Sequence, residues 1–312
     1  MTALRNARWT VGDIGNQGGR TAVITGASTG IGFEVAKALA EHGATVVLAA
    51  RDQGKAGQAV ARIAQTAPKA DVSTTVLDLT SLASVRRAAE EISAQHPRLD
   101  LLVNNAGVMM TPYALTGDGF ELQLGTNHLG HFALTGLLLG VLAPVPGSRV
   151  ITVSSLAHRQ GHIDLADLHF RQRHYNPRAA YAQSKLATIL FTHELQRRLA
   201  ASGAPTIAAA VEPGVVPTDL PRNAGGAARL IIRMMTSVAG QRNTAMGALT
   251  TLRAATDPQV HGGDYYAPDR LRGWHGYPVR SQPSEPSHDT EIQRLLWAES
   301  ERLTGVHYLS PV

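Results

Sequence analysis

The run TAVITGASTGIG, Thr21 to Gly32, carries an apolar β-type segment into a glycine-rich turn and directly on into a helical pattern over Ile31–His42. A strand that feeds a helix through such a turn confines the chain to folds in which the helix crosses back over a sheet. The rest of the sequence keeps the alternation. Strand-like runs recur at 44–50 (ATVVLAA), 73–79 (STTVLDL), 99–107 (LDLLVNNAG), 149–155 (RVITVSS) and 206–213 (TIAAAVEP). Several are apolar throughout, as strands are when helices cover both faces of a parallel sheet. Helical patterns lie between them, among them Ser81–Gln95 and Arg178–Ala201. The expected class is α/β with a parallel sheet. No period of repetition points to a solenoid.

Composition excludes several functions. With 312 residues, 44% hydrophobic and 17% charged, the chain can bury a full core. The net charge of +5 comes from scattered basic residues, and aromatic residues are only 5%, so no nucleic-acid surface is expected. The absence of cysteine removes disulfides, thiolate metal sites and thiol nucleophiles. Arg5 and Arg8 are followed by no apolar signal region, and FALTGLLLGVLAPV from Phe132 is too short to span a bilayer and ends in Pro144–Val145. A buried or subunit-interface helix is expected there, and the cytoplasm is the default compartment. Either a monomer or a homo-oligomer fits.

The last stretch changes character. DYYAPDRLRGWHGYPVRSQPSEPSHD is rich in Pro, Gly and aromatics and reads as an irregular extension lying on the core. A closing helix follows, with Asp289 and Thr290 available to cap it and Gly305 to stop it.

Between a strand and a helix, the glycine turn reads as a phosphate cradle, with an ordinary Gly-rich loop as the plain alternative. Gly26 permits the tight turn, Gly30 lets the backbone approach a pyrophosphate, and Gly32 lets helix and sheet pack closely. Its spacing is G-x-x-x-G-x-G rather than the general G-x-G-x-x-G. At the end of the second strand, Ala50 stands where an NAD site places an acid for the ribose hydroxyls, and Arg51 follows. An arginine there suits a 2′-phosphate, so NADP(H) is the expected cofactor. Asp52 falls one residue beyond the ribose position. The plain alternative for Arg51 is a surface cation at a strand end.

In AYAQSKLATIL, Tyr181 and Lys185 lie one helical turn apart on the same face. A phenol titrates near 10, and a neighbouring ammonium is expected to lower that value and ready it for proton exchange. Upstream stand Ser154–Ser155 at a strand end, NNAG after another strand, and the glycine turn. This ordered set resembles the short-chain dehydrogenase/reductase family over roughly residues 18–256. Within it, NNAGVMMTP, TNHLGHFAL, RVITVSSLAH and AYAQSKLATILFTHEL look most like the retinol-dehydrogenase-like subgroup.

The resemblance implies a doubly wound, Rossmann-like seven-stranded parallel sheet with helices on both faces, and an Asn–Ser–Tyr–Lys catalytic group. Carried over residue by residue, Tyr181 is the general acid or base, Lys185 also holds the nicotinamide ribose, and Ser155 holds the substrate oxygen. Ser154 is the alternative serine. Asn127 supports a proton relay to the lysine; its plain alternative is a polar group satisfying an irregular helix. Ser28, Thr29 and Ile31 join the three glycines and Arg51 at the cofactor. Asp78 and Leu79 lie near the adenine, Asn104, Ala106 and Gly107 line the site, and Pro213, Gly214, Val216 and Thr218 form the loop at the nicotinamide amide. Glu212 departs from the subgroup, which often has histidine before that proline. The implied organisation is an arm at 1–17, a dinucleotide-binding catalytic domain at 18–268, and an extension at 269–312 packed on the core.

The implied activity is NADP(H)-dependent interconversion of a carbonyl and an alcohol on a small-molecule substrate, and the apolar residues of the loops around the site suggest a bulky hydrophobic carbonyl compound. A dinucleotide sensor without catalysis and a membrane-associated lipid or retinoid dehydrogenase are the alternatives, with membrane association the less expected. His158, His162, Asp164, Asp167, His169 and His174 match no metal-ligand spacing and read as solvated loop residues, so no metal is expected. Leu230–Met235 reads as a lid over an apolar substrate, with core packing and membrane docking as alternatives.

Overall fold

A computed structural model describes residues 8–215 and 244–309. The strands are β1 (Thr21–Thr25), β2 (Thr45–Ala50), β3 (Val72–Val76), β4 (Leu101–Asn104), β5 (Arg149–Val153), β6 (Ile207–Val211), β7 (Tyr265–Arg270) and β8 (His275–Ser281). They form one sheet in the order β3-β2-β1-β4-β5-β6-β7-β8. The first seven are parallel, which matches the expected Rossmann-like sheet. β8 adds an antiparallel edge.

That edge lies inside the segment read as irregular. Pro268 pairs with Pro278, and the register shifts between Pro268 and Arg270. Prolines and a bulge are tolerated on the outermost pair of a sheet, where few ladder donors are needed, so residues that look like breakers still form a hairpin.

The helices are α1 (Gly30–Glu41), α2 (Gln53–Thr66), α3 (Leu82–Gln95), α4 (Gly130–Leu142), α5 (Pro177–Ala201), α6 (Thr244–Thr256) and α7 (Thr290–Thr304). One apolar core, including Ile24, Val46 and Val103 from the sheet, packs with α1 and α6. A second, including Val23, Leu102 and Val150, packs with α3, α4 and α5. Alternate residues of the same strands thus serve opposite faces. Trp297 of α7 closes the second core against Phe132, Phe191 and Tyr308. Asp289 caps α7 through the Ile292 N–H, and Gly305 ends it in the left-handed region. Among the described residues no helix is long and apolar enough to cross a membrane.

The strand order reverses between β1 and β4, so the turns leaving these two strands part and open a crevice at their carboxyl ends. β3, β4, β5 and β6 end two or three residues before the corresponding strand-like runs of the sequence do. Those residues peel away from the sheet and build the crevice.

Candidate active site

The glycine turn is shaped by what lies across the crevice. Gly26 has a φ of 67°, and a Cβ on it would lie 2.9 Å from the Ala106 Cα. A Cβ on Gly32 would lie 2.6 Å from the Gly26 carbonyl. Only glycine permits both approaches. A Cβ on Gly30, at φ 62°, meets nothing within 4 Å, so this backbone faces open space. Thr29 precedes α1 without capping it through its side chain, which leaves the first N–H groups of the helix available. Ser28 and Thr29 are half-exposed and Ile31 is buried.

Arg51 is exposed at the end of β2. Asp52 is committed elsewhere: its Oδ1 accepts from the Lys55 N–H at 3.0 Å and its Oδ2 lies 3.1 Å from Lys55 Nζ. Asp78 turns on itself, accepting from the Thr80 N–H and hydroxyl, and Leu79 is buried against Gly130.

The loop after β4 is held by side chains that the sequence reading did not single out. Thr25 Oγ1 accepts from the Asn105 and Ala106 N–H groups, both at 2.9 Å, and lies 2.9 Å from His131 Nε2. His131 Nδ1 lies 3.0 Å from the Asn127 carbonyl. Burial pushes His131 down to about 4, so it is neutral and bridges the two loops. Asn105 Nδ2 donates to the Thr25 carbonyl at 2.9 Å. Asn104, expected to line the crevice, instead points into the helix layer and donates to Thr135 Oγ1. Strand alternation sends neighbouring residues to opposite faces, and Asn105 is the one that reaches the turn.

Asn127 sits in a π-helical turn, Gly125–Leu129, ahead of α4. Such turns mark functional positions in helices. Its amide clasps Val108, accepting from the N–H at 2.8 Å and donating to the carbonyl at 3.0 Å, and it also donates to Ser184 Oγ at 2.9 Å. The structure thus combines the relay position with a side chain already bonded on three sides. Gln123 extends the clamp, accepting from the Met110 N–H and donating to the Tyr175 hydroxyl and the Pro177 carbonyl.

Asn176 caps α5 through the Arg178 and Ala179 N–H groups, and Pro177 occupies the first turn. This start presents Tyr181 and Lys185 inward, both buried. Lys185 Nζ donates to the Val153 carbonyl at 2.9 Å and lies 5.9 Å from the Tyr181 ring centroid. A Cβ built on Gly107 would lie 3.0 Å from Asn127 Oδ1 and 3.8 Å from Lys185 Nζ, so the two groups flank that glycine. Ser154 Oγ donates to the Lys185 carbonyl at 2.8 Å and is buried. Ser155 is the half-exposed serine, and its side chain interacts with the Tyr181 phenol. The geometry therefore assigns the two serines different roles.

One expectation changes. Burial pushes the Tyr181 phenol above its ordinary value, and the interaction that pulls it down comes from Ser155, not Lys185. The ammonium itself is pushed down to about 8 by burial. It turns toward a strand carbonyl instead of toward the phenol.

Pro213 and Gly214 follow β6 at the same end of the sheet, while Val216, Thr218 and the Leu230–Met235 segment lie outside the described residues. His162 and His174 are exposed, whereas His158 is buried and His169 half-buried. His158 is bound on both ring nitrogens, and His169 accepts from the Glu121 N–H while stacking on Phe120.

The short chain dehydrogenase family model matches residues 20–227. The chain belongs to the short-chain dehydrogenase/reductase family. It is 41% identical to human retinol dehydrogenase 13, over 92% of this chain and 85% of that one. It is 45% identical to mouse polyprenol dehydrogenase, over 93% and 85%. A crystal structure of an uncharacterized protein from Mycobacterium paratuberculosis superposes with a TM-score of 0.81 at 43% identity, covering 98% of this chain and all of the other. The NADP complex of Pseudomonas aeruginosa RhlG gives a TM-score of 0.61 at 25% identity, over 80% and 94%. The protein is thus an oxidoreductase of the retinol-dehydrogenase-like part of this family, whose members bind a nicotinamide cofactor.

Proposed function

We propose that the protein uses NADP(H) to interconvert an aldehyde or ketone and the corresponding alcohol on a long apolar substrate. The observation that carries this reading is the meeting of Ser155, Tyr181 and Lys185 beside a crevice whose helix N-terminus is uncapped. The residues present fit a dinucleotide. Gly30 leaves open backbone, the first N–H groups of α1 are free for a pyrophosphate, and Ala50–Arg51 offers a cation with no competing acid. Asp52 cannot replace the missing acid while it caps α2.

When bound, the cofactor would supply or take the hydride. Tyr181 moves the proton, giving it to the carbonyl oxygen in reduction and removing it from the hydroxyl in oxidation. Ser155 holds the same oxygen and pulls the phenol down from the value that burial alone would set. Lys185 would bind the ribose and Asn127 would steady the loop at Gly107. The apolar substrate class is supported by the retinol and polyprenol dehydrogenases to which the chain is similar, and by the Ile- and Met-rich stretch Leu230–Met235 of the sequence.

The test is NADPH oxidation with retinal, polyprenal and short polar aldehydes, run in reverse with the alcohols and NADP⁺. Turnover should be highest for the isoprenoid pair. A preference for short polar carbonyls would overturn the substrate class, and turnover with NADH alone would overturn the cofactor.

A further inference from the structure

Glu212 has no part in the proton path, yet it is fully buried directly before Pro213–Gly214. Three elements enclose it. The 3-10 turn Leu156–Gln160, which follows Ser155, brings His158; β7 brings Tyr265; the hairpin turn brings Gly273, whose backbone abuts the carboxyl. At φ 95°, that position suits glycine, and a side chain there would collide with Glu212 Oε1. Neither carboxyl oxygen makes a well-formed hydrogen bond. The Tyr265 hydroxyl is close enough to interact but is equally unpaired by geometry.

His158 connects this carboxyl to the serine. The Ser284 N–H donates to His158 Nε2 at 3.0 Å, which puts the ring proton on Nδ1. Nδ1 then donates to the Ser155 carbonyl at 2.7 Å. Glu212 Oε2 stands 4.0 Å from the same nitrogen. The N–H is therefore bonded to one acceptor, and a second stands beyond hydrogen-bond distance, to be reached only if the ring or the carboxyl moves. An uncharged carboxyl leaves it on the Ser155 carbonyl. A carboxylate buried without partners is the stronger acceptor and the costlier group to leave unpaired.

We propose that Glu212 and His158 form a positioning pair for Ser155: uncharged Glu212 leaves His158 gripping the Ser155 backbone, and ionised Glu212 draws that N–H away and lets Ser155 shift. The proposal rests on Ser155 holding the substrate oxygen.

The groups facing Glu212 set where the switch operates. Burial pushes the carboxyl up to about 7, while Tyr265 from β7 and Arg159 from the 3-10 turn pull the other way. Burial pushes His158 down to about 4, so it stays neutral while Glu212 titrates.

Glu212→Gln keeps the shape and removes the charge. In the wild type, kcat for carbonyl reduction should fall about fourfold between pH 6 and 7.5, following the uncharged fraction of a group titrating near 7. The Gln variant should show no such fall. NMR of the cofactor-free wild type, labelled at histidine nitrogen, needs neither a variant nor turnover. The His158 Nδ1–H signal should move across the same range. An unmoved His158 signal in the wild type overturns the pair, even if the enzyme turns over as proposed. A moving signal with no turnover at any pH would instead refute the proposed function and leave the pair standing.

Discussion

Replacing Lys185 by Met separates the cost of this site from its use. Lys185 is buried, and its depression from 10.5 to about 8 is caused by desolvation. At about 1.4 kcal/mol per pH unit, the folded state bears about 3 kcal/mol at neutral pH for keeping the ammonium charged. Met removes that cost but leaves the Val153 carbonyl without its donor, a loss of about 1–3 kcal/mol. The two nearly cancel. At pH 7 the variant should therefore unfold in urea within about 2 kcal/mol of the wild type, while its turnover is lost. The pH dependence is sharper. Below about 8, Lys185 is charged in both the folded and unfolded chain. Between about 8 and 10.5, the folded protein sheds a proton that the unfolded chain keeps, so wild-type stability rises with pH. Relative to Lys185→Met, the wild type should gain about 2.5 kcal/mol between pH 7 and pH 10. Groups common to both proteins cancel in this difference. A difference that stays constant across that range would show that the ammonium is not desolvated as argued.

Tyr181→Phe keeps the buried ring and removes only the transferable proton; turnover should fall by about 10²–10⁴ with NADPH affinity, measured by fluorescence titration, unchanged. Ala50→Asp with Arg51→Ala should move the NADPH-to-NADH ratio of kcat/KM by roughly 10- to 100-fold toward NADH, since it removes a phosphate partner and adds a ribose acceptor. Ser155→Ala should cost about 10²–10³ in kcat, whereas Ser154→Ala should lower urea stability by about 1 kcal/mol and leave kcat nearly intact. Equal losses of kcat in the two serine variants would contradict their assigned roles.

The sequence by itself determined the strand–turn–helix alternation, and with it a parallel sheet. Local rules suffice there: apolar runs flanked by helical periodicity, glycines where a backbone must turn, and Asp289 and Gly305 at the ends of a helix. It also determined the residue types of the site, because Tyr181 and Lys185 share a helix face at any i, i+4 spacing. Tertiary structure decided what those residues touch. Nothing local says that Lys185 turns to Val153, that Ser154 is spent on the Lys185 carbonyl, or that Asn105 rather than Asn104 reaches Thr25. Each depends on which face of a strand meets which helix. The hairpin Tyr265–Ser281 was hidden for the same reason, since its prolines are acceptable only at a sheet edge, and an edge exists only once the sheet is assembled. Glu212 is the clearest case. In the sequence it is an acid before a proline; in the fold Tyr265, His158 and Gly273, residues 53 positions later, 54 earlier and 61 later, close around it, and that burial pushes its carboxyl up to about 7.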